Sequence, residues 1–500
     1  MTLNRLGRLI FTPCVIRMLT GCLVLIFLSV ISVAIHWVPC PTLSVSQLSE
    51  SQDIQFGGAD PARFIKQGQW LFEGRGYMYP ENVSCTSLPP GYPLFLSLLM
   101  LVSDKLFVLQ MLQVGFRTIT LTAMWLRLRR VDTRFANTAT VLLATSPVLA
   151  RQASTLMSEC LGFCLMVCLL IQLLDLLHHG VSGSVRASVT GFLLAAICFT
   201  SPFFVFPAIF AFVAVGILLM RSKLLYFALL AFGAGLPYIA WQVHCIQAAG
   251  HLIPEIYGGG ATFDQVWLRS WAKSPVEFIN GVRVFLWRMP DPDWSMIPEH
   301  AWTDARMQSE LVSAVEDCAS GGNQKGSPSA QRLDDLLADA GKTAKSKSLL
   351  RYYVGLPVLR AVRSWSDVPE VWYNYFFDFR LTDRLTISVL SEEIGRFGIM
   401  KAALRQIRAV TSGLVWGYKE CGAPLLIHVL LTTFFLICVG LTLRSPGLTG
   451  IAVLLGVLVF SLFHAYSSPE LRRVAPLYPL VVFMGAAGLL ERRKRFTAMS

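Results

Sequence analysis

Apolar runs of eighteen or more residues recur from one end of this 500-residue chain to the other. Each is long enough to cross a bilayer core of roughly 30 Å as a helix. Composition agrees, at 54% hydrophobic and only 15% charged, against about 25% charged in an ordinary soluble domain. The chain is expected to be an all-α polytopic membrane protein with about ten transmembrane helices.

The spans fall at 17–38, 106–126, 135–150, 155–178, 186–201, 203–220, 224–243, 422–443, 447–466 and 473–490. The first follows Arg5, Arg8 and Arg17. A cleaved signal peptide has such a basic start but an apolar core of only about 7–15 residues, so a retained span is expected. Counted alternately, the short segments on one side hold those arginines, then Arg127, Arg129, Arg130 and Arg134, then Arg186, Arg221, Lys223 and Arg444, and finally Arg492, Arg493, Lys494 and Arg495. That is the signature of a cytoplasmic face. The net charge of +12 is therefore topological, and no nucleic-acid partner is expected. Both termini are expected in the cytoplasm, with Asp60, Arg151 and Glu470 outside.

Three regions follow. Residues 1–243 form an N-terminal transmembrane module that includes a first outer loop (39–105). Residues 244–421 form an extracytoplasmic loop region, and 422–500 the C-terminal helices with a basic cytoplasmic tail. In the first outer loop, Tyr92–Ser103 is apolar but short. A full crossing there would put Arg127–Arg134 outside, against the positive-inside pattern. It is expected to lie on the outer surface, started by the rigid Pro89-Pro90-Gly91-Tyr92-Pro93 entry, and Ala62–Phe72 is expected to be interfacial too. The long loop holds equal numbers of acids and bases and is expected to mix structure types. Helical stretches are expected at Asp304–Cys318 and Gln331–Ala340, with a flexible insert over 320–328 between them. Trp365, Trp372, Tyr373, Tyr375, Phe376 and Phe377 suit a membrane-interface belt or stacking on a sugar ring.

The twelve cysteines show no metal-ligand spacing. Cys160, Cys164 and Cys168 recur one helical turn apart, as small packing residues would. Cys40, Cys85, Cys245 and Cys318 fall in outside segments where pairing is chemically open. Asn82-Val83-Ser84 is a glycosylation sequon on the outer side.

No soluble-enzyme motif stands out, and Gly258-Gly259-Gly260 lacks the setting of a phosphate cradle. The carboxylates are more informative. Asp60, before Pro61, suits a helix N-cap. It also adjoins a cationic stripe of Arg63 and Lys66, an arrangement that would hold a phosphate beside a base. Glu159 lies at or just inside the outer end of a span, where a carboxylate is costly and is a functional candidate. Glu470, Arg472 and Arg473 open the last span from outside, and guanidinium forks suit phosphate. A local salt bridge is the plainer account of that trio. Arg117, in mid-span, demands a partner or a water-filled cavity.

In this order the residues resemble the GT-C glycosyltransferases, in particular bacterial relatives of protein mannosyltransferases and lipid A aminoarabinose transferases. The series runs from Asp60, Phe64 and Gly74-Arg75-Gly76-Tyr77 to Pro89-Pro90-Gly91-Tyr92-Pro93. It continues through Gln110-Met111-Leu112-Gln113, Ser146-Pro147, Ser158-Glu159, Thr200-Ser201-Pro202 and Gly250-His251-Leu252-Ile253-Pro254, and closes at Glu470, Arg473, Pro476 and Pro479. The resemblance covers most of the membrane region and leaves 258–416 uncovered. Ala59 and Pro61 flank Asp60 where the family usually has a second acid, and Ser201 stands where many relatives have Arg.

The resemblance implies a polyprenyl-phosphate (or dolichyl-phosphate-like) sugar donor and transfer outside the cytoplasm to a protein, lipid or glycan acceptor. It matches Asp60 and Glu159 to the family's two acidic positions, which makes them the catalytic candidates. Asp60 would deprotonate the acceptor hydroxyl. Arg63, Lys66 and Arg472 or Arg473 would stabilise the leaving lipid phosphate. Tyr92 joins them as a substrate-binding candidate. Cofactor and metal are unknown, a divalent cation staying open. The integral, multi-pass location would be a bacterial inner or plasma membrane. A polytopic transporter or lipid flippase is the alternative, supported by Arg117 and the Thr200-Ser201-Pro202 break.

Overall fold

The computed structural model describes residues 13–35, 45, 59–77, 89–179, 184–200, 208–209, 211–213, 224–249, 263–273, 275–281, 284–285, 294–302, 304–320, 328–360, 423–444, 451, 453–455, 457–458, 461 and 477–499. The helices in chain order are α1 (Pro13–Ile35), α2 (Ala59–Phe72), α3 (Gly91–Met100), α4 (Leu106–Leu128), α5 (Thr133–Thr145), α6 (Pro147–Ser154), α7 (Ser158–His179) and α8 (Ser184–Thr200). There follow α9 (Leu224–Ala249), α10 (Phe263–Trp271), α11 (Pro275–Gly281), α12 (Ala305–Ser320), α13 (Pro328–Lys347), α14 (Ala423–Arg444) and α15 (Tyr478–Met499).

Among the described residues every regular element is helical. That is what lipid requires of an open chain, because each backbone N–H and C=O must be satisfied within the segment. Among the described residues three helices are long and apolar enough to cross a membrane, at Leu106–Leu128, Ser158–Leu176 and Leu225–Gln247, and shorter apolar helices occupy Met18–Ala34, Gly91–Met100, Val185–Thr200 and Leu430–Arg444. The expected spans 203–220 and 447–466 lie largely outside the described residues. Helix α3 has ten residues, about 15 Å of rise, half of what a crossing needs. The expectation that this segment does not span agrees with its length.

Several spans differ from expectation, among them the last, whose helix α15 runs past the expected 490 to Met499. The single helix expected over 135–150 is two, α5 and α6. Ser146 leaves the helical region (φ −58°, ψ 119°) directly before Pro147, as the proline ring demands of its predecessor. The span expected to end at 243 runs on to Ala249. Cys245 consequently lies within α9, buried in a cluster with Tyr77, Ala195, Phe199 and Trp241, and not in an outer loop.

The chain divides into two compact units, one made of Met1–Ile256, Val368–Leu454 and Ala475–Ser500, the other of Tyr257–Asp367 and Leu455–Val474. In the first, α4 is the central helix and packs against α1, α3, α5, α6 and α7. It carries Gln110, Gln113 and Arg117 at i, i+3 and i+7, one helical face, and all three are buried. Arg117 donates from Nη2 to the carbonyls of Leu143 and Ala144, each at 3.1 Å, and from Nη1 to Ser29 Oγ at 3.0 Å. The buried partner expected for Arg117 is thus the carbonyl end of α5, where the helix dipole is negative. A structural role accounts for it, and it lends the transporter reading no support.

Helices α8 and α9 cross at backbone contact. A Cβ on Gly191 would fall onto the Leu230 carbonyl, and one on Gly233 onto the Ser188 carbonyl. Small residues that let backbones meet are a usual basis of helix association in lipid. The thiols of the α7 stripe behave as packing groups. Cys160 is buried among Val33, Val114, Ala150 and Ala153, and Cys164 is fully buried.

The second unit has its own core, built by Trp267, Trp271, Phe278 and Phe285 against Leu311, Val315, Leu333 and Leu337. Trp267 meets Phe285 edge to face at 4.8 Å. Helices α12 and α13 contain the stretches expected at Asp304–Cys318 and Gln331–Ala340. The mixture of structure types expected for this loop gives way, among its described residues, to helices and short links. Cys318 is a buried free thiol of this core. Arg360, fully buried, donates to the carbonyls of Arg269 (3.1 Å) and Ala272 (3.2 Å), at the C-terminal end of α10. Cys40, Cys85, Asn82, residues 321–327 and the aromatic run from Trp365 to Phe377 lie outside the described residues.

Candidate active site

Two of the candidate residues, Tyr92 and Glu159, lie on α3 and at the start of α7, which follows the short helix α6. Helix α3 starts at the Pro-Pro-Gly-Tyr-Pro entry, and the glycine has a steric reason. A Cβ on Gly91 would lie 2.6 Å from the Phe199 carbonyl oxygen and 2.7 Å from its carbon. Both atoms belong to the backbone of the last turn of α8, so relief would require the helices to part. Gly91→Ala is expected to destabilise the fold by about 1–3 kcal/mol, measured as a lower thermal-unfolding midpoint in detergent.

One residue on, Tyr92 is fully buried. Its ring stands edge-on to Phe64 of α2 at 5.3 Å. Its hydroxyl donates to Gln113 Oε1 at 2.7 Å. Gln113 Nε2 donates onward to the carbonyls of Ala153 (3.0 Å) and Gln152 (3.3 Å), while Gln110 Nε2 donates to that of Ser154 at 2.6 Å. The last carbonyls of a helix have no partner within it. Here two glutamines one turn apart on α4 supply the partners for the end of α6. The polar face of α4 therefore closes both broken helices, α5 through Arg117 and α6 through Gln110 and Gln113.

Beyond α6 the chain turns through Leu156, whose φ of +48° is the one positive non-glycine value among the described residues. Such a backbone costs a non-glycine residue on the order of 1–3 kcal/mol and concentrates at functional sites. The turn joins two buried charges, Arg151 in the last turn of α6 and Glu159 in the first turn of α7, exposed by 5% and 6%. The α7 N-terminus offers Glu159 a positive dipole end, and Ser158 Oγ donates to its Oε2 at 3.3 Å. Burial, then the neighbouring Cys160, then the Glu159 carboxylate hold the Tyr92 hydroxyl well above the ordinary tyrosine range. Tyr92 is thus a neutral phenol, able to donate.

Tyr92 and Leu156, three residues before Glu159, lie in one buried cluster. Arg63 is exposed and Lys66 half-buried on α2, which packs against the α3 that carries Tyr92. Asp60 lies in the first turn of α2, which begins at Ala59. It therefore falls one residue inside the helix, where an N-cap was expected, and its side chain lies outside the described residues, as do Arg472 and Arg473. The Gly74-Arg75-Gly76-Tyr77 motif has a structural basis. Gly74 and Gly76 take φ of +73° and +89°, turning the chain so that the Tyr77 hydroxyl donates to the Pro89 carbonyl at 3.2 Å. The Tyr77 ring rests edge-on to Trp241, 6.0 Å away.

Arg151, Gln110, Gln113 and the Leu156 turn were not marked as site residues in the sequence. Two glutamines one turn apart in a span, and a cation at a span's outer end, were the available signals. Nothing about a leucine betrays a left-handed backbone. An open concavity of about 410 Å³ along α13, lined by Gln331, Arg332, Asp335 and Asp339 among others, contains none of the candidate residues. It is a groove of one helix surface. Among the described residues no three His, Cys, Asp or Glu side chains are grouped to hold a metal ion. Comparison with protein families, with characterised proteins and with solved structures finds no match to this chain.

Proposed function

We propose that the chain is a GT-C-type membrane glycosyltransferase with about ten spans and both termini in the cytoplasm. It would transfer a sugar from a polyprenyl-phosphate carrier to an acceptor on the extracytoplasmic face of a bacterial inner or plasma membrane. The observation that carries this reading is the buried constellation at the α6–α7 turn. Arg151 and Glu159 flank a left-handed Leu156, which shares a buried cluster with Tyr92 of the short helix α3. Charges buried at the ends of membrane helices are expensive and mark function by default.

Helix α2 supplies the reacting side of the proposal. The acceptor oxygen attacks the anomeric carbon while Asp60 takes its proton. The bond to the carrier phosphate breaks in the same step, so the anomeric configuration inverts. Arg63, Lys66 and Arg472 or Arg473 stabilise the charge that develops on the departing phosphate. Glu159 is the second acid of the proposal, and Tyr92 positions the end of α6 beside it through Gln113.

A second reading, transport of a lipid-linked substrate, is favoured by the discontinuous run α5–α6–α7. Broken helices buried in a bundle are typical of transporter binding sites. One assay separates the two. Purified full-length protein in sealed vesicles receives a panel of radiolabelled polyprenyl-phosphate sugars together with an acceptor membrane extract. Transfer predicts free polyprenyl phosphate and labelled acceptor. Intact donor moved across the vesicle membrane, with no carrier released, would replace the enzyme by a flippase.

A further inference from the structure

The second unit contains a helical segment, residues 349–360, whose turn Arg351–Gly355 is π-helical. Tyr352, Leu356 and Arg360, at i, i+4 and i+8, are buried, and Arg360 fastens the segment to the end of α10. The other side is also apolar, yet it is open. Leu349, Leu350, Val354, Val358 and Leu359 are between 37% and 75% exposed. A single exposed leucine needs no explanation, but five such side chains within eleven residues form a patch that calls for a partner.

The surrounding charge identifies that partner. From 340 to 366 the chain contains Lys342, Lys345, Lys347, Arg351, Arg360 and Arg363 and not one Asp or Glu, although acids and bases balance over the long loop as a whole. Lys342 and Arg351 are exposed. Lys345 Nζ stands 5.0 Å from the Tyr353 ring and 5.7 Å from that of Tyr352, at the edge of the patch. An exposed apolar face flanked by Lys345, Arg351 and Tyr353, whose nearest preceding acid is Asp339 beside Lys342 at 3.7 Å, has the composition of a helix lying in the headgroup layer. Cations held near an anionic lipid surface add to that attraction. Because membrane spans precede and follow this segment in the same chain, its encounter with the bilayer is intramolecular, so a short helix suffices.

We propose that residues 349–360 form an interfacial anchor. Leu350, Val354 and Val358 enter the boundary between headgroups and acyl chains, and Lys342, Lys345 and Arg351 meet anionic lipid phosphates. The proposal is independent of sugar transfer and would hold for a transporter as well.

The test places a photoreactive benzoylphenylalanine at Leu350, Val354 or Val358 of the full-length protein in phosphatidylethanolamine–phosphatidylglycerol vesicles. A control carries it at Gln331, on the exposed surface of α13. After illumination, mass spectrometry is expected to find lipid adducts at the three patch positions well above the Gln331 background. Their yield is expected to fall several-fold in neutral phosphatidylcholine vesicles, and likewise when Lys342, Lys345 and Arg351 are changed together to Gln. Adducts to peptides of a second copy or of this chain, in place of lipid, would overturn the proposal. Lipid yields equal to the Gln331 control, or insensitive to headgroup charge, would do so too.

Discussion

Asp60→Asn is expected to lower transfer of sugar from the lipid carrier by about 10²–10⁴-fold, the usual contribution of a positioned general base. The amide has nearly the shape of the carboxylate and keeps a carbonyl acceptor, but it cannot take the acceptor's proton. The fold should tolerate the change. Helix α2 is held against α3 by Ile65, fully buried, and by Gly68, where a Cβ would come to 3.0 Å from Leu96 Cβ and 3.1 Å from the Pro93 carbonyl. Neither contact involves position 60. Insertion and folding can be checked with the protein's own thiols, since Cys160, Cys164, Cys245, Cys318 and Cys438 are free and buried and react with a dye only on unfolding. Asp60→Glu, which advances the carboxylate by one methylene, is expected to retain part of the activity. Undiminished transfer by a folded Asp60→Asn protein would remove the proposed base.

Arg117→Met should produce the largest loss of stability, about 2–4 kcal/mol. Methionine fills much of the arginine volume and spares the protein the burial of a charge, which offsets part of the loss. It leaves the Leu143 and Ala144 carbonyls without this donor, while the Ser29 hydroxyl keeps its hydrogen bond with Thr118. Each buried group so orphaned costs about 1–3 kcal/mol. Water cannot take over, because Arg117 is only 1% exposed. Arg117→Lys is expected to fall between the two, since an ammonium lacks the planar fork that reaches three acceptors on two helices. The midpoint of denaturation followed by thiol reactivity is the measurement. A midpoint unchanged by Arg117→Met would mean that α5 ends on other partners.

The apolar runs, the shortness of the helix after Pro-Pro-Gly-Tyr-Pro and the helical stretches of the long loop were legible in the sequence. They follow from local composition and periodicity, which each segment carries by itself. Tyr92 and Glu159 were legible as candidates for the same kind of reason, one sitting in a rigid turn and the other being an acid at a span end. Ser146-Pro147 was visible too, yet an apolar run continuing past it concealed that the helix stops there.

What no local pattern contains is who satisfies whom. Gln110, Gln113 and Arg117 look like three polar interruptions of a span. Only the packing of α4 against α5 and α6 makes them donors to the carbonyls of residues 143, 144, 152, 153 and 154. A helix end that chain composition leaves unsatisfied must find its partners across space, and those partners may be any residue type with an N–H to offer. The left-handed Leu156 belongs to the same class, because its backbone is imposed by the fixed ends of α6 and α7 and not by leucine's own preference. The membrane character of this chain is thus written residue by residue along the sequence. The gathering of Tyr92 and the Leu156 turn in one buried cluster exists only because distant helices pack together.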